Sequence, residues 1–351
     1  MSFTRLSPDD FLISADSVTA GAWTGNVPTL TSFNTSSVQV ASTSGNYYLN
    51  IYQTSSTDVA AEIQFNIAFG DAAGSGSLLY DAGIDGKSFT STVYGQWQNI
   101  VLGDENNQFI FGGVTPVTQS FYAISVERSK YKGSIFPGTL DLLIQSSSAG
   151  GNFDLRLTDN SNDVSTTVFN EAGRVFQIVS GSNGSAITTA NSALGAVSNG
   201  MTISGSYGLF LPDIGTILLN GDALDVNAAS GLNLQTETSA NTPGSPVNSL
   251  KMWNAISGSG FFGLNSEETI TSDFVFVRAR NSEFNYSENP SFISGSTGEV
   301  LFNSFIDNPQ TYITTVGLYN DNNELLAVAK LSRPLLKDFT KELLVRVKLD
   351  F

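Results

Sequence analysis

The 351-residue chain contains neither cysteine nor histidine. Without cysteine there is no disulfide, no thiolate metal site and no cysteine nucleophile. Without histidine the commonest general base, the Ser–His–Asp triad and every imidazole metal site are excluded as well. Positive charge is scarce too, with 16 Lys and Arg against 32 Asp and Glu and a net charge of −16. That balance repels phosphate backbones, so nucleic acid is not an expected partner. No segment approaches 18 uninterrupted apolar residues, and no membrane insertion is expected. The start, MSFTRLSPDDFLISADS, lacks the basic stretch and apolar run of a secretory signal, which predicts a soluble protein made in a cytoplasm. The chemistry left is that of carboxylates, Lys, Tyr and Ser/Thr. Glycoside hydrolysis needs only two carboxylates and stays open, but no cofactor is expected and the chain reads as a non-enzyme.

What is present points to order. Charged residues are only 14% of the chain, below the roughly 25% usual in globular proteins, while aromatics reach 11%. Disordered chains show the reverse. Short runs rich in Val, Ile, Thr, Phe and Tyr recur between Gly, Asn, Ser and Asp clusters: YYLNIYQ at 47–53, AEIQFNIAF at 61–69, QFIFGGV at 108–114, FYAISVE at 121–127, TLDLLIQ at 139–145, RVFQIVS at 174–180, DFVFVRAR at 273–280 and TYITTVGLY at 311–319. At 342–351, Val345, Val347, Leu349 and Phe351 alternate with Arg346, Lys348 and Asp350, which predicts a half-buried strand. Helical spacing shows only at 249–257 and at 334–344, where Pro334 precedes Leu335, Leu336, Phe339 and Leu343. The expected fold is all-β, with two or three β-sandwich-like domains, long Gly/Ser/Asn loops and at most one or two short helices.

Two Ser/Gly/Asn/Ala-rich stretches, 181–206 and 226–248, read as surface loops or boundaries. Length alone suggests two or three domains. The division expected is an acidic N-terminal β domain at 1–120, a central β region with a loop-rich insertion at 121–272, and a C-terminal β region at 273–351 that completes the main sheet. Charge is uneven: residues 324–351 carry six basic and four acidic groups, while the first 125 carry ten acidic groups against Arg5 and Lys87. The two ends either meet head to tail across a subunit contact or are simply solvated faces.

Few constellations suggest chemistry. Asp81-Ala-Gly-Ile-Asp85-Gly86-Lys87 and Asp159-Asn160-Ser161-Asn162-Asp163 resemble fragments of calcium loops, but Val164 stands where such a loop needs Gly and Asn170 where it needs Glu. Turns are the simpler reading. Asn320-Asp321-Asn322-Asn323 between two strand-like runs predicts a hairpin, and Gly221-Asp222 another turn. Asp104-Glu105 and Glu267-Glu268 are adjacent pairs, which on a strand point to opposite faces. Trp23, Trp97 and Trp253 either pack in a core or stack on sugars of a host-surface glycan. Arg128, Lys130 and Lys132 read as the guard of a strand edge.

The runs ISVERSKYKGSIFPGTLDLLI (124–144), GRVFQIVSGSNG (173–184), YGLFLPDIGTILLNGDALD (207–225), FVFVRARNSEFNYSENPSF (274–292) and DNPQTYITTVGLYNDNNELLAVAKLSRP (307–334) together resemble virion structural proteins of contractile-tailed bacteriophages, cyanophages especially. The resemblance covers about residues 120–351. It implies a virion protein, assembled in the bacterial host cytoplasm and partnered by copies of itself and by other tail, baseplate or neck proteins. It brings no catalytic residues. Segment 281–298, with Pro290 disfavouring a central strand, is expected to be an ordered loop or extended arm packed either on a neighbouring subunit or on its own domain. The residues expected at the interface are Phe284, Tyr286, Pro290, Phe292 and Tyr312.

Overall fold

The computed structural model describes residues 5–35, 48–76, 88–109, 111, 118–148, 151–186, 206–225, 232–236, 248–258, 260–287 and 289–350. The Asp81–Lys87 fragment and most of QFIFGGV and of the two Gly/Ser/Asn-rich stretches lie outside these residues. The chain is mostly strand, at 46%, with 16% helix. The first strands are β1 (Phe11–Gly21), β2 (Thr29–Leu30), β3 (Asn34–Thr35), β4 (Tyr48–Tyr52), β5 (Ile63–Asp71), β6 (Ser120–Val126) and β7 (Ser134–Ile135), with helix α1 (Phe89–Leu102) between β5 and β6. The middle holds β8 (Asp141–Ser148), β9 (Gly151–Asp159), β10 (Val168–Asn170), β11 (Gly173–Ser182), β12 (Ser185–Ala186), β13 (Gly208–Leu211) and β14 (Thr216–Asn220), then helices α2 (Gly221–Asp225) and α3 (Asn248–Ser257). The last are β15 (Phe261–Gly263), β16 (Asn265–Ala279), helix α4 (Asn303–Asp307), β17 (Thr311–Tyr319), β18 (Leu325–Lys337) and β19 (Leu343–Asp350).

Two compact units result. The larger is Val18–Glu268; the smaller joins Met1–Ser17 to Thr269–Phe351. The boundary expected at 120 falls inside one sheet, because β5 pairs with β6 from Phe65↔Val126 to Asp71↔Ser120. The boundary expected at 272 lies within a few residues of Thr269, but the C-terminal region does not complete the main sheet, because β16 pairs with β19 in a separate sheet.

The larger unit is one antiparallel sheet in the order β2-β15-β8-β9-β11-β13-β14-β6-β5-β4-β3. Its strands are apolar on both faces. In β6, Tyr122 and Ile124 enter one cluster, whereas Phe121 and Ala123 enter a second on the opposite face. The first cluster collects residues from both ends of the sheet: Leu30 and Phe262 from one, Leu49, Ile51 and Phe65 from the other. Phe65 and Phe262 meet edge to face at 5.3 Å, so the sheet curls until its ends share a core. Trp23 sits at that seam, and Met252, Ala255 and Ile256 of α3 fill the space. The second cluster is covered by α1 through Tyr94 and Val101, with Trp97 and Ile100 half-buried beside them.

Several local expectations change. The 249–257 helix forms, as α3, but four helices rather than one or two stand among the described residues. The longest of those not anticipated is α1: its FTSTVYGQWQNIVL is rich in β-branched and aromatic residues, which favour strand. Packing decides otherwise, since Thr90, Val93, Tyr94 and Val101 bury one stripe, and Gly103, with φ +71°, ends the helix in left-handed backbone. The helix expected at 334–344 is strand instead. β17 pairs with β18 through Ile313↔Leu335 and Thr315↔Lys330, and Pro334 falls in the irregularity between them, where its missing N–H breaks no ladder bond. Gly221-Asp222 opens α2 rather than a turn. Arg128–Lys130 is a 3-10 turn, not a strand edge; Lys130 pairs with Glu62, and Lys132 with Glu268 at 2.6 Å. The Asn320–Asn323 hairpin forms: Asn320 Oδ1 accepts from Asn322 N and Glu324 N, and Asn323 takes φ +62°.

Acid affects the larger unit through buried carboxylates, Asp71 and Asp159 among them. Burial raises the Asp71 and Asp159 pKa values, although the backbone N–H groups of Ala73, Ser75, Gly138 and Ser161 donate to them and lower it. A raised native pKa stabilises the fold below the unfolded value of about 4, and this contribution is lost as pH rises through the native value. The larger unit is therefore expected to gain stability from these groups as pH falls from 7 to about 4, with the gain reduced in Asp159→Asn. Calorimetric midpoints for which Asp159→Asn shows the same change between pH 7 and about pH 4 as wild type would contradict this.

Candidate assembly surface

The smaller unit has little core of its own. β1, β16 and β19 form its sheet, and β17–β18 is a separate two-stranded sheet. Their contact buries Val275, Val345 and Val347, against which Val316, Leu318, Ala329, Leu331 and Leu335 of the hairpin pack. β19 follows the expected alternation, with Val345 and Val347 buried and Arg346 and Lys348 exposed. A lone two-stranded sheet is marginal in water, so the hairpin depends on this one inner face.

Its other face is open and apolar. Tyr312, Leu326 and Val328 are 63%, 68% and 58% exposed. The adjacent Leu325-Leu326 pair is the sequence signal for this, because neighbouring residues on a strand point to opposite faces. Tyr319 shares the hairpin with Gly317, where an added Cβ would lie 2.9 Å from the Tyr319 ring. Sheet edges are open as well. β17 ends its sheet with no charged residue in TYITTVGLY, and edges of that kind invite pairing with another chain.

Between β16 and β17 the chain makes an excursion, roughly residues 280–310, whose base is fixed by Lys337. That lysine is fully buried. Its Nζ donates to Asn281 O at 3.0 Å, Asn285 Oδ1 at 2.6 Å and Asp338 O at 2.9 Å, three neutral acceptors for its three N–H groups. Asn285 in turn donates through Nδ2 to Asn281 O at 2.6 Å. Within this clamp Phe284 holds φ +55°, a region that bulky residues rarely occupy, and its carbonyl accepts from Thr311 Oγ1. Its ring is left partly exposed. Backbone strain of this type concentrates where a side chain is presented for contact.

The five residues expected at an interface are all exposed on this unit. Phe284 and Tyr286 flank the clamp, and Tyr312 follows the threonine that bonds Phe284. Phe292 stands apart from them, its ring against Phe302 and Phe305 at 5.9 and 5.5 Å. Pro290 precedes it in a turn. Not anticipated were Leu301, Phe302 and Ile306 around α4, or Phe11, Leu12 and Ile13 on β1, all at least half exposed. Among the described residues, most exposed large apolar side chains belong to this smaller unit.

The other constellations are occupied structurally. Trp23 is buried, and Trp97 and Trp253 are half-buried against the two clusters of the larger unit. Glu267 faces Arg174 at 3.5 Å and Glu268 faces Lys132, so the adjacent acids serve separate ion pairs. Both Asp159 oxygens accept from Gly138 N, which ties that carboxylate into a turn. Among the described residues no group of three or more His, Cys, Asp or Glu is placed to hold a metal ion, and no helix is long and apolar enough to cross a membrane. No protein-family model matches the chain, and no curated protein or solved structure gives a significant match.

Proposed function

We propose that the chain is a non-enzymatic structural subunit of a bacteriophage virion, tail- or baseplate-associated, that acts by assembling with copies of itself and with other virion proteins. The observation that carries this reading is the imbalance of the smaller unit. Three buried valines form its core cluster while large apolar side chains lie open on the hairpin, the excursion and β1. Soluble monomers seldom leave contiguous apolar surface uncovered, and such surface marks protein contact. The strings that resemble contractile-tail virion proteins supply the setting. The work is then association, through apolar faces and open sheet edges buried between chains.

The test is particle composition. Virions of the phage that encodes this chain, banded in caesium chloride and analysed by quantitative mass spectrometry, are expected to contain it at a fixed copy number. Its absence from banded particles, with abundant free protein in the lysate, would overturn the reading.

A further inference from the structure

We propose that the excursion at 280–310 of one copy docks on the outer face of the β17–β18 hairpin of a second copy. This contact rests on the assembly reading above and names the partner of its surface. Both halves are apolar and oppositely charged. The excursion carries Arg280 against Glu283, Glu288, Glu299 and Asp307. Its exposed Leu301, Phe302 and Ile306 stand beside Glu299 and Asp307, which are themselves exposed. The hairpin keeps its two carboxylates, Asp321 and Glu324, at the turn end, where Asn320 Nδ2 donates to Glu324 at 2.6 Å. Its body presents exposed Lys330 two residues from Val328 on the outward alternation of β18, and exposed Arg333 in the irregularity before Pro334. Neither cation, nor Asp307, forms an ion pair among the described residues.

The occupant is a second copy because each chain carries both halves and leaves both open. The Lys337 clamp and the Thr311–Phe284 bond tie the base of the excursion to its own hairpin, while its aromatic tip stays exposed. Placing the acidic tip on a neighbour's basic face buries apolar area and supplies the missing counter-charges together. The two patches differ, so the contact is heterologous. Repeated from copy to copy it closes a ring or extends a row that keeps one free half of each kind at its two ends.

Sedimentation velocity of the full chain tests this with two charge-reversal variants, Lys330→Glu/Arg333→Glu and Glu299→Lys/Asp307→Lys, each checked for unchanged circular dichroism and melting midpoint. Wild type is expected to associate in a concentration-dependent way that weakens between about 50 mM and about 500 mM salt. Each variant alone is expected to associate at least about tenfold more weakly. An equimolar mixture is expected to regain association close to that of wild type with the two variants alternating, because the reversed excursion of one fits the reversed hairpin of the other, their unreversed halves still fit each other, and only like variants repel. Wild-type chain that stays monomeric at every concentration, or variants that associate as wild type does, overturn this contact. Neither result removes the chain from banded particles, so the assembly reading stands or falls separately. A mixture no tighter than either variant alone also overturns the pairing.

Discussion

Trp23→Ala is expected to lower the unfolding free energy of the larger unit by about 3–5 kcal/mol, the range for deleting a large aromatic from a packed core. The side chain is 2% exposed, and its ring lies 4.9 Å from Phe262 and 6.0 Å from Phe65. These partners come from opposite ends of the sheet. Nε1 donates to Phe262 O at 2.7 Å, so the substitution also strands a carbonyl at the seam. Neighbouring bonds close the same gap: Ala22 N donates to Leu264 O, and Thr24 N to Gln64 Oε1, each at 3.1 Å. Removing the indole leaves them without the packing that aligns the ends. Trp23→Phe keeps most of the area and loses the N–H, and is expected to cost about 1–2 kcal/mol. Urea titration followed by far-UV circular dichroism measures both. A loss under about 1 kcal/mol for the alanine variant would show that the sheet curls without this residue.

Lys337→Met is expected to destabilise the smaller unit by about 3 kcal/mol or more, because hydrogen bonds to charged groups are worth about 1.5–3 kcal/mol each. Methionine matches the length but donates nothing, so Asn285 Oδ1 loses its ammonium partner at a residue only 2% exposed. The carbonyls of Asn281 and Asp338 lose the same donor. Against a core cluster of three valines that is a large share of any stability the unit has. Calorimetry should show the smaller unit melting earlier while the larger unit's transition stays in place. Limited proteolysis should cut faster within 281–298, where Phe284 is no longer held. An unshifted transition with unchanged cleavage would mean that the clamp contributes no net stability, as happens when desolvation of a buried ammonium offsets its bonds.

Much of the fold is legible in the residues. The alternation Val345-Arg346-Val347-Lys348 became a half-buried strand, and Asn320–Asn323 a hairpin, because both signals act within a few residues. The misreadings share one cause. At 334–344, leucines and a proline at helical spacing were overridden by pairing with β17, and at 89–102 a strand-like composition was overridden by packing on the sheet. Local preference yields wherever a longer-range contact buries more.

The candidate surface was only partly legible. Aromatics in a proline-containing segment drew attention to Phe284, Tyr286 and Phe292. Leu326, Val328, Phe302 and Ile306 carry no such local signal, since an apolar residue in a strand or helix ordinarily faces inward. Whether it does depends on how many layers cover the element, and the hairpin is covered on one side only.

By itself the sequence determined what chemistry the chain lacks and that it is built of strands, because residue inventory and period-two alternation are properties of the linear order. Only the tertiary structure decided that residues 23, 65 and 262 meet at a seam, that Lys337 closes on Asn285, and that one unit keeps its apolar side chains open. Those facts depend on which distant segments come together and on how much surface they cover, and neither quantity is written in any local run of residues.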